Sequence, residues 1–274
     1  MKINLNDVMY NVEQSGSGFP LLLLHGFTGS IETWYPFLPI LKSQNIMIDL
    51  LGHGKTESPS DRNRYDIQKA AEDLNLLLDQ LDIEKTDVLG YSMGGRLAIT
   101  FAVLFPNRVR KLILESTTPG LKRDFDRQER RERDAKLANK ILSEGVEAFV
   151  RHWENIPLFQ TQLNLPDKVR EQIRNQRMQN NCIGLSNSLL GMGTGSQPSW
   201  WETLPTWSFP TLFLAGEWDE KFCKIGIEVA SAVPNGIFMK IKNAGHAIHV
   251  EETEKFGTIV SEFLSNDKVV EKLK

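Results

Sequence analysis

Six short runs of consecutive apolar, β-favouring residues punctuate the chain: Pro20 to Leu24, Ile46 to Leu50, Asp87 to Leu89, Val109 to Glu115, Pro210 to Ala215 and Ile237 to Ile241. Helix-like segments lie between most of them. Near the end, Phe256, Ile259, Val260 and Phe263 within Glu251 to Leu264 repeat at the three-and-four spacing of an amphipathic helix. Alternating strands and helices predict an α/β fold, a mostly parallel sheet with helices on both faces. Leu21-Leu22-Leu23-Leu24 suits a strand buried on both sides and ends at His25-Gly26, where the chain must turn. Residues 2 to 12 and 19 to 24, with little between them, read as an antiparallel hairpin entering the sheet.

Between Pro119 and Trp207 the pattern becomes helical, with arginine clusters and no convincing strand. This predicts a helical cap, residues 119–207, inserted into a core made of residues 1–118 and 208–274. Such an insertion would sit over the carboxyl ends of the strands, where open α/β sheets bind ligands.

Composition narrows the partners. The 274 residues carry 35 acidic and 32 basic side chains, a net charge of -3, so the broad cationic face of a nucleic-acid binder is not expected. Met1 to Val12 lacks the apolar stretch of a signal peptide, and no run approaches membrane-spanning length. These features predict a cytoplasmic protein with no membrane partner. The two cysteines, Cys182 and Cys223, are expected as free thiols outside any metal-ligand spacing, so neither metal nor cofactor is expected.

The chemistry concentrates at strand ends. Asp87 to Leu89, then Gly90-Tyr91-Ser92-Met93-Gly94-Gly95, then the helix-like Arg96 to Phe105 describe a strand, a sharp turn and a helix. That setting exposes Ser92 at the tip of a nucleophile elbow, although a bare G-x-S-x-G also occurs in ordinary glycine-rich loops. Asp219 follows the strand Pro210 to Ala215, and His246 follows Ile237 to Ile241. Taken singly, one could be a helix cap and the other a loop histidine. Together, their order Ser, Asp, His predicts a triad in which His246 activates Ser92 and Asp219 orients His246. Glu217 and Glu220 compete with Asp219, and His249 competes less strongly with His246. The loop His25-Gly26-Phe27-Thr28-Gly29 offers the Phe27 N–H, and the helix start offers the Met93 N–H, as the two donors of an oxyanion hole. The glycine-rich turn Leu51-Gly52-His53-Gly54 reads as another loop on this face or as purely structural.

Across nearly the whole chain these residues resemble the α/β-hydrolase superfamily, which implies the α/β-hydrolase fold. Finer motifs are more selective: Gly90 to Arg96, Glu115 to Leu121, Trp153 to Phe159, Gly191 to Pro198 and Gly216 to Phe222 resemble the 2-succinyl-6-hydroxy-2,4-cyclohexadiene-1-carboxylate synthases of menaquinone biosynthesis. The resemblance implies a lyase that eliminates pyruvate from 2-succinyl-5-enolpyruvyl-6-hydroxy-3-cyclohexene-1-carboxylate, with Ser92 acting as a base. It also implies a small tricarboxylate substrate held by Arg96, Arg130 and Arg177, in a pocket lined by Tyr91 and Trp153. Arg131 and Arg133 are expected to belong to a solvated helical face. Two rival readings share the scaffold: a true serine hydrolase with Ser92 as covalent nucleophile, and a catalytically silent binding protein.

Overall fold

The computed structural model describes residues 1–266, so the last stretch of the core expected over 208–274, residues 267–274, lies outside the described residues. The strands are β1 (Lys2–Leu5), β2 (Val8–Ser15), β3 (Pro20–Leu24), β4 (Gln44–Ile48), β5 (Thr86–Tyr91), β6 (Val109–Glu115), β7 (Thr211–Gly216) and β8 (Gly236–Ile241). They form one sheet in the order β1-β2-β4-β3-β5-β6-β7-β8. From β4 onward neighbouring strands are parallel, while β2 runs antiparallel to both β1 and β4. The helices are α1 (Ile67–Gln80), α2 (Met93–Leu104), α3 (Asp124–Trp153), α4 (Asp167–Met178), α5 (Cys182–Met192), α6 (Glu220–Ala232), α7 (Ile248–Glu251) and α8 (Thr253–Ser265).

The leucine run of β3 shows why the sheet is covered on both sides. Side chains alternate along a strand, so Leu22 and Leu24 enter one cluster with α1 and α2 residues, including Leu74, Leu77 and Phe101. Leu21 and Leu23 enter the other, with Trp34, Phe37 and the α8 residues Phe256 and Val260.

The hairpin forms differently from the sequence expectation. The expected pairing of residues 2–12 with 19–24 does not occur; residues 2–15 fold back on themselves as β1 and β2, with Leu5 opposite Val8. Asn6 and Asp7 make the turn at φ 48° and 64°, a left-handed conformation that Asn and Asp tolerate better than other side chains. β4 then separates β2 from β3. Alternation alone carries no such information about which strand lies beside which.

Helices α3, α4 and α5 all lie between β6 and β7 in the chain, and α3 and α5 share their own small cluster of Ala138, Ile141, Phe149, Val150, Leu185 and Leu189. α3 is broken at Gly145, where φ 84° and ψ 169° leave the helical region. The break separates a charged half, carrying Arg130 and Asp134, from an aromatic half carrying Phe149 and Trp153.

Candidate active site

Ser92 stands between the end of β5 and the start of α2, at φ 51° and ψ -104°. A non-glycine residue held in that region stores strain of order 1–3 kcal/mol, and it persists because the surroundings fix it. Gly94 makes the turn possible: a Cβ there would overlap the Leu24 and His25 carbonyls of the neighbouring strand end. The Ser92 N–H donates to the Glu115 carbonyl at 2.9 Å, which ties the elbow to β6.

His246 lies in the loop after β8, and the backbone N–H groups on either side of it, of Gly245 and Ala247, donate to the Glu251 carboxylate at 2.7 and 3.3 Å. Its Nδ1 is 2.7 Å from Asp219 Oδ2 and its Nε2 is 3.0 Å from Ser92 Oγ. With the ring proton on Nδ1 and donated to the carboxylate, Nε2 is free to accept from the serine hydroxyl. The other Asp219 oxygen accepts from the Phe222 N–H at 3.3 Å and caps α6. Helix cap and orienting acid, alternatives in the sequence, are therefore one residue using two oxygens.

The rivals are occupied elsewhere. Glu217 accepts from the Asn243 N–H at 2.6 Å, and Glu220 is exposed. His249 gives its Nδ1 to the Glu115 carboxylate, 2.9 Å from each oxygen, and both side chains are buried. His25 is a strut: Nδ1 donates to the Gly26 carbonyl at 2.8 Å and Nε2 accepts from the Leu50 N–H at 3.0 Å. Burial pushes its pKa down to about 4, and pushes that of the neighbouring His53 down to about 3.

Phe27, Ser92, Met93 and His246 all line one chamber of about 180 Å³. The Met93 N–H is the first of α2 and has no acceptor within the helix. Tyr91, Arg96, Arg130, Trp153 and Lys221 line the same chamber, and among the described residues no Asp or Glu does. The indole N–H of Trp153 is buried without a partner among the described residues. No group of three or more His, Cys, Asp or Glu side chains placed to hold a metal occurs among the described residues, and no helix there is long and apolar enough to cross a membrane.

Comparison with known proteins agrees with this architecture. The profile of the alpha/beta hydrolase fold matches residues 20–253. A Bacillus subtilis (strain 168) protein, provisionally named 2-succinyl-6-hydroxy-2,4-cyclohexadiene-1-carboxylate synthase, is 48% identical over 270 residues, 97% of this chain and 98% of its own. This chain is an alpha/beta hydrolase of that synthase family. The resemblance read from the sequence motifs is thereby borne out. The solved structure of MenH from S. aureus superposes with a TM-score of 0.88 at 36% identity, covering 93% of this chain and 97% of that one. A malate-bound esterase from Thermogutta terrifontis superposes at 0.84 with 27% identity, covering 97% of each chain.

Within this member of the synthase family, the three arginines expected on the substrate do not share one chamber. Arg96 is buried, donates to the Met192 carbonyl, and is pushed down to about 9 by burial. Arg130 is paired through Nε with Asp134 Oδ1 at 2.8 Å. Arg177 instead lines an adjoining chamber of about 400 Å³, which shares Phe27, Tyr91 and Phe159 with the first. There it donates to Gln162 at 3.2 Å and lies 4.9 Å over the Phe159 ring. As expected, Arg131 and Arg133 are both exposed; Arg133 pairs with Glu129, and Arg131 also donates to the Gly195 carbonyl at 2.9 Å. Sequence reasoning passed over Lys221; the available signal was its place two residues after the candidate acid, at the carboxyl end of β7.

Proposed function

We propose that this protein is a carbon–oxygen lyase that eliminates pyruvate from 2-succinyl-5-enolpyruvyl-6-hydroxy-3-cyclohexene-1-carboxylate to give 2-succinyl-6-hydroxy-2,4-cyclohexadiene-1-carboxylate, a step of menaquinone biosynthesis in the cytoplasm. The observation that carries this reading is Ser92 Oγ, 3.0 Å from an oriented imidazole, facing a chamber whose charged lining beyond that imidazole is entirely cationic. Ser92, His246 and Asp219 act as the triad. As Ser92 Oγ takes the ring proton beside the succinyl ketone, its own proton passes to His246 Nε2. The electron pair released forms the new ring double bond, the carbon–oxygen bond to the enolpyruvyl group breaks, and pyruvate leaves as its enolate and collects the proton from His246. Phe27 N–H and Met93 N–H hold the ketone oxygen as it gains charge, which is where fixed donors lower the barrier. Arg96 and Arg130 bind carboxylates in the reaction chamber and Arg177 binds one across Tyr91, while the helices of residues 119–207 serve as the cap over the core.

A hydrolytic reading draws on the likeness to the malate-bound esterase, which has the same fold. One experiment separates the two: purified protein is mixed with the enolpyruvyl substrate and, separately, with p-nitrophenyl acetate, and the Ser92 peptide is examined by mass spectrometry after quenching. Pyruvate release with an unmodified Ser92 peptide is the expected result. A substrate-derived adduct on Ser92, formed and consumed at the rate of turnover, would make the serine a nucleophile and overturn the elimination mechanism.

A further inference from the structure

Each cation of the reaction chamber differs in what already compensates it. Arg96 is buried and gives a hydrogen bond to the Met192 carbonyl. Arg130 is neutralised by Asp134, whose carboxylate is itself buried. Lys221, on the first turn of α6, lines the same chamber yet makes no ion pair among the described residues. Its ammonium rests 5.1 Å from the Phe222 ring, and that ring leans on His246 with centroids 5.0 Å apart. Arg130 and Arg96 lie close enough to repel it, whereas Asp219, the nearby acid, is committed to His246 and to the start of α6.

Around a chamber with no described carboxylate in its lining, Lys221 and Arg96 repel each other and Arg130 adds to this in part, being paired with Asp134, so that a polyanion among them would offset the repulsion. We propose that Lys221 is a carboxylate-binding residue of the reaction chamber, meeting an anionic arm other than the one that Arg177 holds in the adjoining chamber. The proposal builds on the tricarboxylate reading of the substrate and adds a contact that the arginines leave unmade. A lysine suits this place because its ammonium is a point charge on a flexible stem, able to follow a ligand in, while the two guanidiniums stay fixed by their protein partners.

The test uses propane-1,2,3-tricarboxylate, a trianion that cannot react, titrated calorimetrically into wild type, Lys221→Met, Lys221→Arg and, as a control on the same helix, Lys224→Met. Loss of one charge-assisted contact is expected to weaken binding about tenfold in Lys221→Met, with Lys221→Arg within about threefold of wild type and Lys224→Met within about twofold. In turnover of the enolpyruvyl substrate, Lys221→Met should raise KM by a similar factor and lower kcat far less, a split that a misplaced triad would not give. Equal trianion affinity in wild type and Lys221→Met overturns the proposal, as does wild type that binds no trianion. Trianion binding that depends on Lys221 in a protein that fails to release pyruvate would overturn the proposed reaction and leave the binding residue standing.

Discussion

Two buried carboxylate–imidazole pairs lie close together in this molecule, each beside a chamber, and only one of them reaches a serine. Asp219–His246 and Glu115–His249 have similar contact distances, 2.7 and 2.9 Å, and their histidines are three residues apart. His246 extends its second nitrogen to Ser92, whereas His249 is packed among rings, with the Tyr91 centroid at 4.5 Å, Trp34 at 5.6 Å and Phe256 at 6.0 Å. The pairing orients an imidazole in both cases. What distinguishes the two is the partner at the far nitrogen, which is Ser92 for His246 and no described side chain for His249.

The sharpest way to break the comparison is to remove the members of each pair in turn. Ser92→Ala and His246→Ala should lower turnover roughly a thousandfold or more while the melting temperature stays within a few degrees, because triad members act as one unit. Steady-state kinetics beside a thermal melt checks this; turnover within a few-fold of wild type in folded Ser92→Ala would remove the elbow from the mechanism. His249→Ala should do the reverse. Stripping one partner from a buried pair leaves the Glu115 carboxylate uncompensated, a cost of about 3–5 kcal/mol in urea unfolding, while turnover of the remaining folded protein falls far less than in His246→Ala.

The arginines sharpen the comparison on the substrate side. Arg130→Ala should cost about 1.5–3 kcal/mol in kcat/KM, the worth of hydrogen bonds to a charged group, and lysine should restore only part because it lacks the planar fork. Equal losses in Arg130→Ala and Arg133→Ala would mean that the helices act through net charge and not through contacts.

A smaller effect comes from two buried histidines that line neither chamber. His25 and His53 titrate at about 4 and about 3 in the folded protein, against about 6.5 when unfolded. The unfolded chain therefore binds more protons between those values. The stability they contribute is intact above pH 6.5, falls as the pH drops toward 4 and then 3, and levels off below. A protonated His25 would aim Nε2–H at the Leu50 N–H, donor against donor. Urea midpoints measured from pH 7.5 to 4.5 should fall steadily, and His25→Gln should flatten part of that slope.

Much of this was legible in the residues. The elbow was readable because its chemistry is local: three glycines and a serine between a strand and a helix leave few other conformations. Asp219 and His246 were readable through strand ends and chain order, signals that survive without knowing the sheet. The hairpin was misread because strand neighbours are chosen by tertiary packing, and the Asn6-Asp7 turn was absorbed into residues 2–12 read as a single strand. Arg177 was placed with Arg96 and Arg130 because a motif reports which residues belong together, not which side of the Tyr91 ring each occupies. Lys221 went unread because a lysine on an exposed helix start is ordinary until the charges across the chamber are known.

The start of α6 gathers unusual responsibility into three residues within one turn. Asp219 starts the helix and steers the imidazole, Lys221 brings a charge to the chamber, and Phe222 supplies both a capped N–H and a ring against His246. Fraying of that turn would loosen the acid, the cation and the aromatic shelf together, so in the proposed reaction the rigidity of one helical end would be shared by proton transfer and by recognition. A single insertion between Asp219 and Cys223 would therefore separate functions that no individual substitution there can separate as completely.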